Sequence, residues 1–329
     1  MHRRQFHRAS LVAATLAGLP RAGYCEADTG ADQVLTYDKP STTSWRMGFR
    51  LNTTVPFTRG TATFPVPMDW PEQSVEVTER EVSVSGSSVT LRKLDGGARQ
   101  VVVTMPRVLA GTEMEVWFEM DIDKRRIVGP ADPSSLVIAK QTQLPREIRR
   151  YLGSSPHIDT THIQIRMLSK ELAADAPENA WDRVRQIYDT VRHRVQYLEG
   201  PIRNASDALR TGHGDCEDMT SLFVALCRNA QIPARMVWVP GHCYPEFYLQ
   251  PSGSHSTRDN GIWFPCQVAG SEQFGSMEET RPILQKGDRF KVPESRSAVR
   301  YVAEFFTCLR SGTAAPRIEF FREPLTPAS

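Results

Sequence analysis

The sequence predicts an α+β protein in two parts, an all-β part over residues 35–130 and a mixed helix-and-strand part over 134–310. Three observations predict it. Apolar and polar residues alternate between residues 35 and 128, the period of half-buried strands. From about residue 134 the period becomes that of amphipathic helices. After Pro233 short apolar runs return between turn residues, which reads as more strands.

In the first part, Val75, Val77, Val82 and Val84, then Val89 and Leu91, alternate with polar neighbours. Val101–Val103 and Met114–Met120 repeat the pattern, and Ser85-Gly86-Ser87, Asp95-Gly96-Gly97 and Ala110-Gly111 supply the turns. Several short strands at this spacing predict a sandwich of Ig-like type. Gly129-Pro130 and Asp132-Pro133 then read as a linker. In the second part, Trp181, Val184, Tyr188, Val191 and Val195 lie at i, i+3, i+7, i+10 and i+14, one stripe of a helix. A second helix is expected from Cys216, with Met219, Phe223, Leu226 and Ala230 on one face and Gln231-Ile232-Pro233 ending it. Strands are expected at Arg235–Val239, Cys243–Leu249 and Gly261–Val268, a helix at 297–309, and a tail at 311–329 in which Ile318–Phe321 could add an edge strand.

Composition narrows the function. Of 329 residues, 40% are hydrophobic and 24% charged, which suffices for a large core and excludes a mostly disordered chain. No run reaches the roughly 18 apolar residues of a membrane span. Net charge is +2, so no broad basic surface points to nucleic acid.

Residues 1–27 read as an export signal: the pair Arg3-Arg4, then Gln5-Phe6, then an uncharged, mildly apolar stretch from Ala9 to Leu19. This resembles a bacterial signal of twin-arginine type and implies an exported protein, periplasmic or secreted. A cut after Ala27 would leave the small Cys25 at −3. Removing these residues takes away four arginines and one glutamate, so the net charge becomes −1. The slight basicity of the whole chain therefore belongs to the signal.

The chemistry concentrates between residues 205 and 267. Gly212-His213-Gly214-Asp215 is a turn and Asp215 can cap the helix that Cys216 opens. A helix N-terminus favours thiolate over thiol, so a cysteine there is placed for reactivity. Cys227, eleven residues on and mid-helix, reads as a buried apolar residue. A nucleophilic thiol needs a base, and His242 begins a strand; His157, His162, His193 and His255 have no motif around them. His213 reads as an exposed loop residue and Arg235 as a buried ion-pair partner. A metal site of Cys216, His213, His242 and Cys243 matches no ligand spacing. No calcium loop and no cofactor motif is present.

Gly214-Asp215-Cys216-x-Asp218, the following helix, Ile232-Pro233-Ala234-Arg235, His242-x-Tyr244-x-Glu246 and Trp263-x-Pro265-x-Gln267 together resemble the transglutaminase-like superfamily. The resemblance implies a papain-like Cys-His fold behind a β-domain. It implies Cys216 as nucleophile, His242 as general base, Gln267 as the residue orienting His242, and a peptide or protein substrate with no cofactor. Three positions depart from the pattern, the first being Tyr244, which stands for a Trp. Gln267 stands where the superfamily has Asp, and Gln231 replaces the Gly before Ile-Pro-Ala-Arg. A glutamine carbonyl still accepts from an imidazole N–H but adds no charge, as does the Asn of papain-like proteases. The implied activity is thiol-dependent acyl transfer on amide bonds, as a peptidase, amidase or transglutaminase; the alternative is an inactive binding module. If Gln267 lies directly opposite His242 on an antiparallel strand, Cys243 faces Cys266, either as a disulfide or as two buried thiols in contact.

In a host with twin-arginine export, the mature protein is expected to start at Asp28, read by intact mass. Replacing both Arg3 and Arg4 by Lys should leave the precursor in the cytoplasm.

Overall fold

The computed structural model describes residues 34–83, 86–253, 261–310 and 312–325. The expected signal, part of the turn at residue 85, and His255 with its loop lie outside the described residues.

Strands β1 (Ser41–Thr53), β2 (Phe57–Val66), β3 (Gln73–Val82), β4 (Ser88–Leu94), β5 (Ala98–Val108) and β6 (Thr112–Lys124) make most of a two-layer sandwich. Its core shows the period-2 pattern directly. Trp45, Met47, Phe49 and Leu51 of β1 and Met114, Val116, Phe118, Met120 and Ile122 of β6 all point inward. Phe49 meets Phe64 edge-on across the layers, ring centroids 6.3 Å apart.

Helices α1 (Ile163–Ala174), α2 (Ala180–Arg194), α3 (Ala205–Thr211) and α4 (Cys216–Asn229) follow. The α2 stripe is buried at Val184, Tyr188 and Val191, and Asn179 caps it by accepting from the N–H groups of Trp181 and Asp182. Helix α4 is buried on every side from Asp218 to Arg228, because it packs between the other helices and a sheet. That sheet contains β7 (Ala234–Val239), β8 (His242–Pro251), β9 (Ile262–Gln267) and β10 (Gln273–Phe274).

The two-residue strand β11 (Gln285–Lys286) pairs with β7 on one side and touches β5 at Ala98 on the other. One sheet therefore runs from the sandwich into the second part, in the order β10-β9-β8-β7-β11-β5-β2, with β4 also on β5.

The C-terminal region departs from expectation. Residues 297–304 are irregular, and the expected helix gives way to β12 (Phe305–Arg310), paired with β2. Phe306 and Cys308 face the sandwich core, a period of two that adjacent Phe305-Phe306 and a bulge at Cys308 obscure. The edge strand expected at Ile318–Phe321 is present, as β13 (Arg317–Leu325) beside β1, with Ile318 and Phe320 turned to the same core. The sandwich is thus completed by the end of the chain.

The expected disulfide is absent: Cys243 and Cys266 are free thiols. The reason is register. Glu246 pairs with Pro265 and Phe247 with Phe264, two residues away from the pairing that would set Cys243 opposite Cys266. A two-residue slip keeps each side chain on its face, so His242 and Gln267 still share one.

Helix α4 ends in a Schellman motif. The N–H of Ile232 donates to Cys227 O and that of Gln231 to Arg228 O. The motif puts its first residue past the cap in the left-handed region, and Gln231 has φ +62°. Glycine adopts that conformation without strain, which accounts for the Gly of the sequence pattern. Gln231→Gly is expected to stabilise the protein by about 0.5–1 kcal/mol, measured as a higher urea midpoint at unchanged slope.

Candidate active site

Four residues of the Gly-Asp-Cys-x-Asp run explain one another. A Cβ at Gly214 would lie 2.6 Å from the Asp218 Cβ, so only glycine fits. Asp215 caps α4, accepting from the N–H groups of Glu217 (2.9 Å) and Asp218 (3.0 Å). Asp218 returns the contact to the Asp215 N–H, which completes a capping box. The fully buried Asp218 carboxylate also accepts from the Arg203 N–H at 2.9 Å and its Nη1 at 3.1 Å. This fixes the first turn of α4, and with it the half-buried Cys216.

The structure brings Cys216, His242 and Gln267 together. His242 Nε2 donates to Gln267 Oε1 at 3.0 Å, which leaves Nδ1 for Cys216. Gln267 is held from behind, where Arg192 Nη1 donates to its backbone carbonyl at 3.1 Å. The Cys216 thiol is drawn down from 9.0 to about 5. The largest cause is a hydrogen bond from the Cys243 thiol; burial opposes it, and the His242 hydrogen bond and charge, with the Cys243 backbone N–H, add to it. Burial pulls His242 down, but its contact with the Cys216 charge and its bond to Gln267 outweigh that and raise it above 6.5. Each partner of the pair thus favours the charged form of the other.

The sequence offered Cys243 as half of a disulfide or as part of a metal site whose spacing matched no pattern, yet it lies against the Cys216 thiol. Its own thiol is fully buried and pushed well above 9, so it stays protonated and remains a donor. Its place immediately after the histidine, at the start of β8, was the available signal.

Glu246 braces the fold. Its Oε2 accepts from Arg235 Nε at 2.7 Å and its Oε1 from Lys286 Nζ at 2.5 Å. Lys286 also donates to Glu72 at 2.5 Å, and Arg235 lies 4.0 Å over the Trp263 ring. His213 is exposed, and its Nδ1 is hydrogen-bonded to the Thr211 carbonyl.

A cleft of about 500 Å³ opens at Cys216. His242, Trp238, Ile202, His157 and Arg300 line it. A larger groove of about 860 Å³ lies on the sandwich, but its Arg50–Glu115 and Asn52–Glu113 pairs satisfy each other and it holds no nucleophile.

A family model described as the transglutaminase-like superfamily matches residues 166–268. No curated protein matches the sequence. Among solved structures, a candidate cysteine protease from Cytophaga hutchinsonii superposes with a TM-score of 0.58 at 16% identity, covering 90% of this chain and 94% of its own. A candidate protease from Parabacteroides distasonis is also 16% identical, over 73% of this chain and 48% of its own, and its TM-score of 0.27 is too low to bear on the fold. Residues 166–268, which contain Cys216, His242 and Gln267, are a transglutaminase-like domain, and the fold around them is the transglutaminase-like fold.

Proposed function

We propose that the protein is a cysteine enzyme that transfers acyl groups from amide bonds of peptides or proteins, and that it works outside the cytoplasm. The observation that carries this reading is the contact of a thiol drawn to about 5 with an imidazole raised above 6.5. The description of the Cytophaga hutchinsonii protein as a candidate cysteine protease agrees with it. Cys216 thiolate attacks the amide carbonyl, and the His242 imidazolium protonates the leaving amine. The Cys216 backbone N–H, at the start of α4, faces the oxyanion that forms. His242, now neutral, takes a proton from water as it attacks the thioester, and hydrolysis returns both groups to their starting states. An amine in place of water would make the enzyme a transferase; abundant water outside the cell favours hydrolysis.

Gln267 raises the second reading, a binding module with a retired site. Its contact with His242 Nε2 counts against that, because the neutral carbonyl still fixes the tautomer and ring plane.

The thiolate–imidazolium pair persists between the two pKa values. It is lost below about pH 5 as the thiolate is protonated, and lost above the raised His242 value as the imidazolium deprotonates. Alkylation of Cys216, followed by peptide mass spectrometry, should have its midpoint near pH 5. His242→Ala and Cys243→Ala should each move it up toward the ordinary thiol value of about 8.5. A wild-type midpoint already near that value would sink the proposal.

Gln267→Ala should lower kcat by about tenfold, the size of one hydrogen bond to a charged group, with little change in KM. Gln267→Glu keeps the reach and adds a negative charge, so the alkaline limb of the activity profile should move to higher pH. A limb that stays in place would show that residue 267 does not act through His242.

A further inference from the structure

One wall of the cleft is the irregular segment that includes Ala298, Val299, Arg300 and Tyr301. It is fixed on both sides of Arg300. Val299 exchanges backbone hydrogen bonds with Phe290 at 2.7 and 2.9 Å. The N–H of Val302 donates to the side-chain oxygen of buried Gln285 at 2.9 Å. Tyr301 packs on Trp238 with ring centroids 5.0 Å apart, and the Arg300 guanidinium lies 5.4 Å from the centroid of the same indole.

Arg300 is only 7% exposed. One terminal nitrogen pairs with Glu217, the residue after Cys216. Neither terminal nitrogen has a hydrogen-bond partner, Nη2 meeting Glu217 only as an ion pair, and both are buried. His157, on the same cleft, also has a buried nitrogen, Nδ1, without a partner. Burial holds the Arg300 guanidinium down to about 10, against the negative charges of Asp215 and Cys216. A buried guanidinium with a free donor is costly unless an anion completes it. Ile202, Val239 and Ala298 make part of the wall apolar.

We propose that Arg300 is a specificity-determining residue: it binds a carboxylate of the peptide substrate beside the scissile amide, and His157 supplies a second donor to the same group. This rests on the thiol-enzyme reading and names its substrate class, peptides carrying an acidic group next to the cleaved bond. The carboxylate belongs either to an Asp or Glu side chain or to a free C-terminus. Glu217 holds Arg300 in place while the subsite is empty and competes with the substrate for it.

The test begins with two small reagents on the full chain. Iodoacetate carries a carboxylate and iodoacetamide does not, and both alkylate Cys216. The ratio of their rates should be about tenfold higher in wild type than in Arg300→Gln, the size of one charge-assisted hydrogen bond. Glu217→Gln removes the competing carboxylate and should raise the ratio above wild type, which keeps the idea testable if Arg300→Gln does not fold. A ratio unchanged in both variants overturns the subsite. Should wild-type Cys216 be inert to both reagents, the thiol-enzyme reading itself fails; rapid alkylation with an unchanged ratio removes only the role of Arg300. Matched peptides then separate the sources, one pair differing as C-terminal acid against amide and the other as Glu against Gln beside the cleaved bond. The pair that wild type discriminates and Arg300→Gln does not identifies the carboxylate. Equal turnover within both pairs overturns the proposal.

Discussion

The buried Lys286 ammonium sits between two carboxylates, Glu72 and Glu246, and lies 5.2 Å from the Trp70 ring centroid. Much of the molecule depends on that one contact. Glu72 immediately precedes β3 of the sandwich, Lys286 is half of the two-residue bridge β11, and Glu246 lies four residues beyond His242 on β8. With Arg235 on the other oxygen of Glu246, the four charges sum to zero inside the protein. Such a set is not a large net source of stability, since taking ions out of water is expensive. What it does is forbid alternatives. Removing one partner leaves an unpaired buried charge, at a cost of about 3–5 kcal/mol, a large fraction of the roughly 5–15 kcal/mol that holds a domain folded. A one-residue slip of β8 would turn Glu246 away from both cations and His242 away from Cys216.

On that scaffold the reactive pair is built from short-range contacts. The Asp215–Asp218 capping box fixes the first turn of α4 and so fixes the Cys216 backbone. Three donors then converge on one sulfur: the Cys243 thiol, the Cys243 N–H and the His242 imidazole. Burial alone would make the thiolate less stable, and it does so for Cys227 and Cys266, which are pushed well above the ordinary thiol value. Cys216 differs from these two cysteines in both respects: donors converge on its sulfur, and it is only half-buried.

What the sequence revealed follows the range of the forces involved. The capping box, the α2 stripe and the strands after Pro233 are local, and periodicity exposes them. Cys216 and His242 were legible because each stands at the start of an element. The pairing register of β8 and β9 was not, because a two-residue slip preserves the alternation that a sequence displays. Strand β12 was hidden for another reason. Val302, Phe305 and Phe306 mimic a helical face, and only the open edge of β2, more than 200 residues earlier, selects a strand there. Arg300 was missed with it, since its neighbourhood is set by Trp238 and Gln285 and not by nearby residues in the chain.

The placement of β12 and β13 has a further consequence for how the chain is made. Strand β1 lacks one neighbour and β2 lacks another until residues 305–325 arrive. Synthesis delivers the sandwich's first strand almost 300 residues before its last, so the core around Phe49, Phe64 and Phe320 cannot close until residues 317–325 have emerged. A nascent chain therefore carries two open, strongly apolar strand edges through most of its elongation, the state most prone to pair with a second copy. Emergence of residues 305–325, and not emergence of α4, is the event that commits the sandwich to its fold.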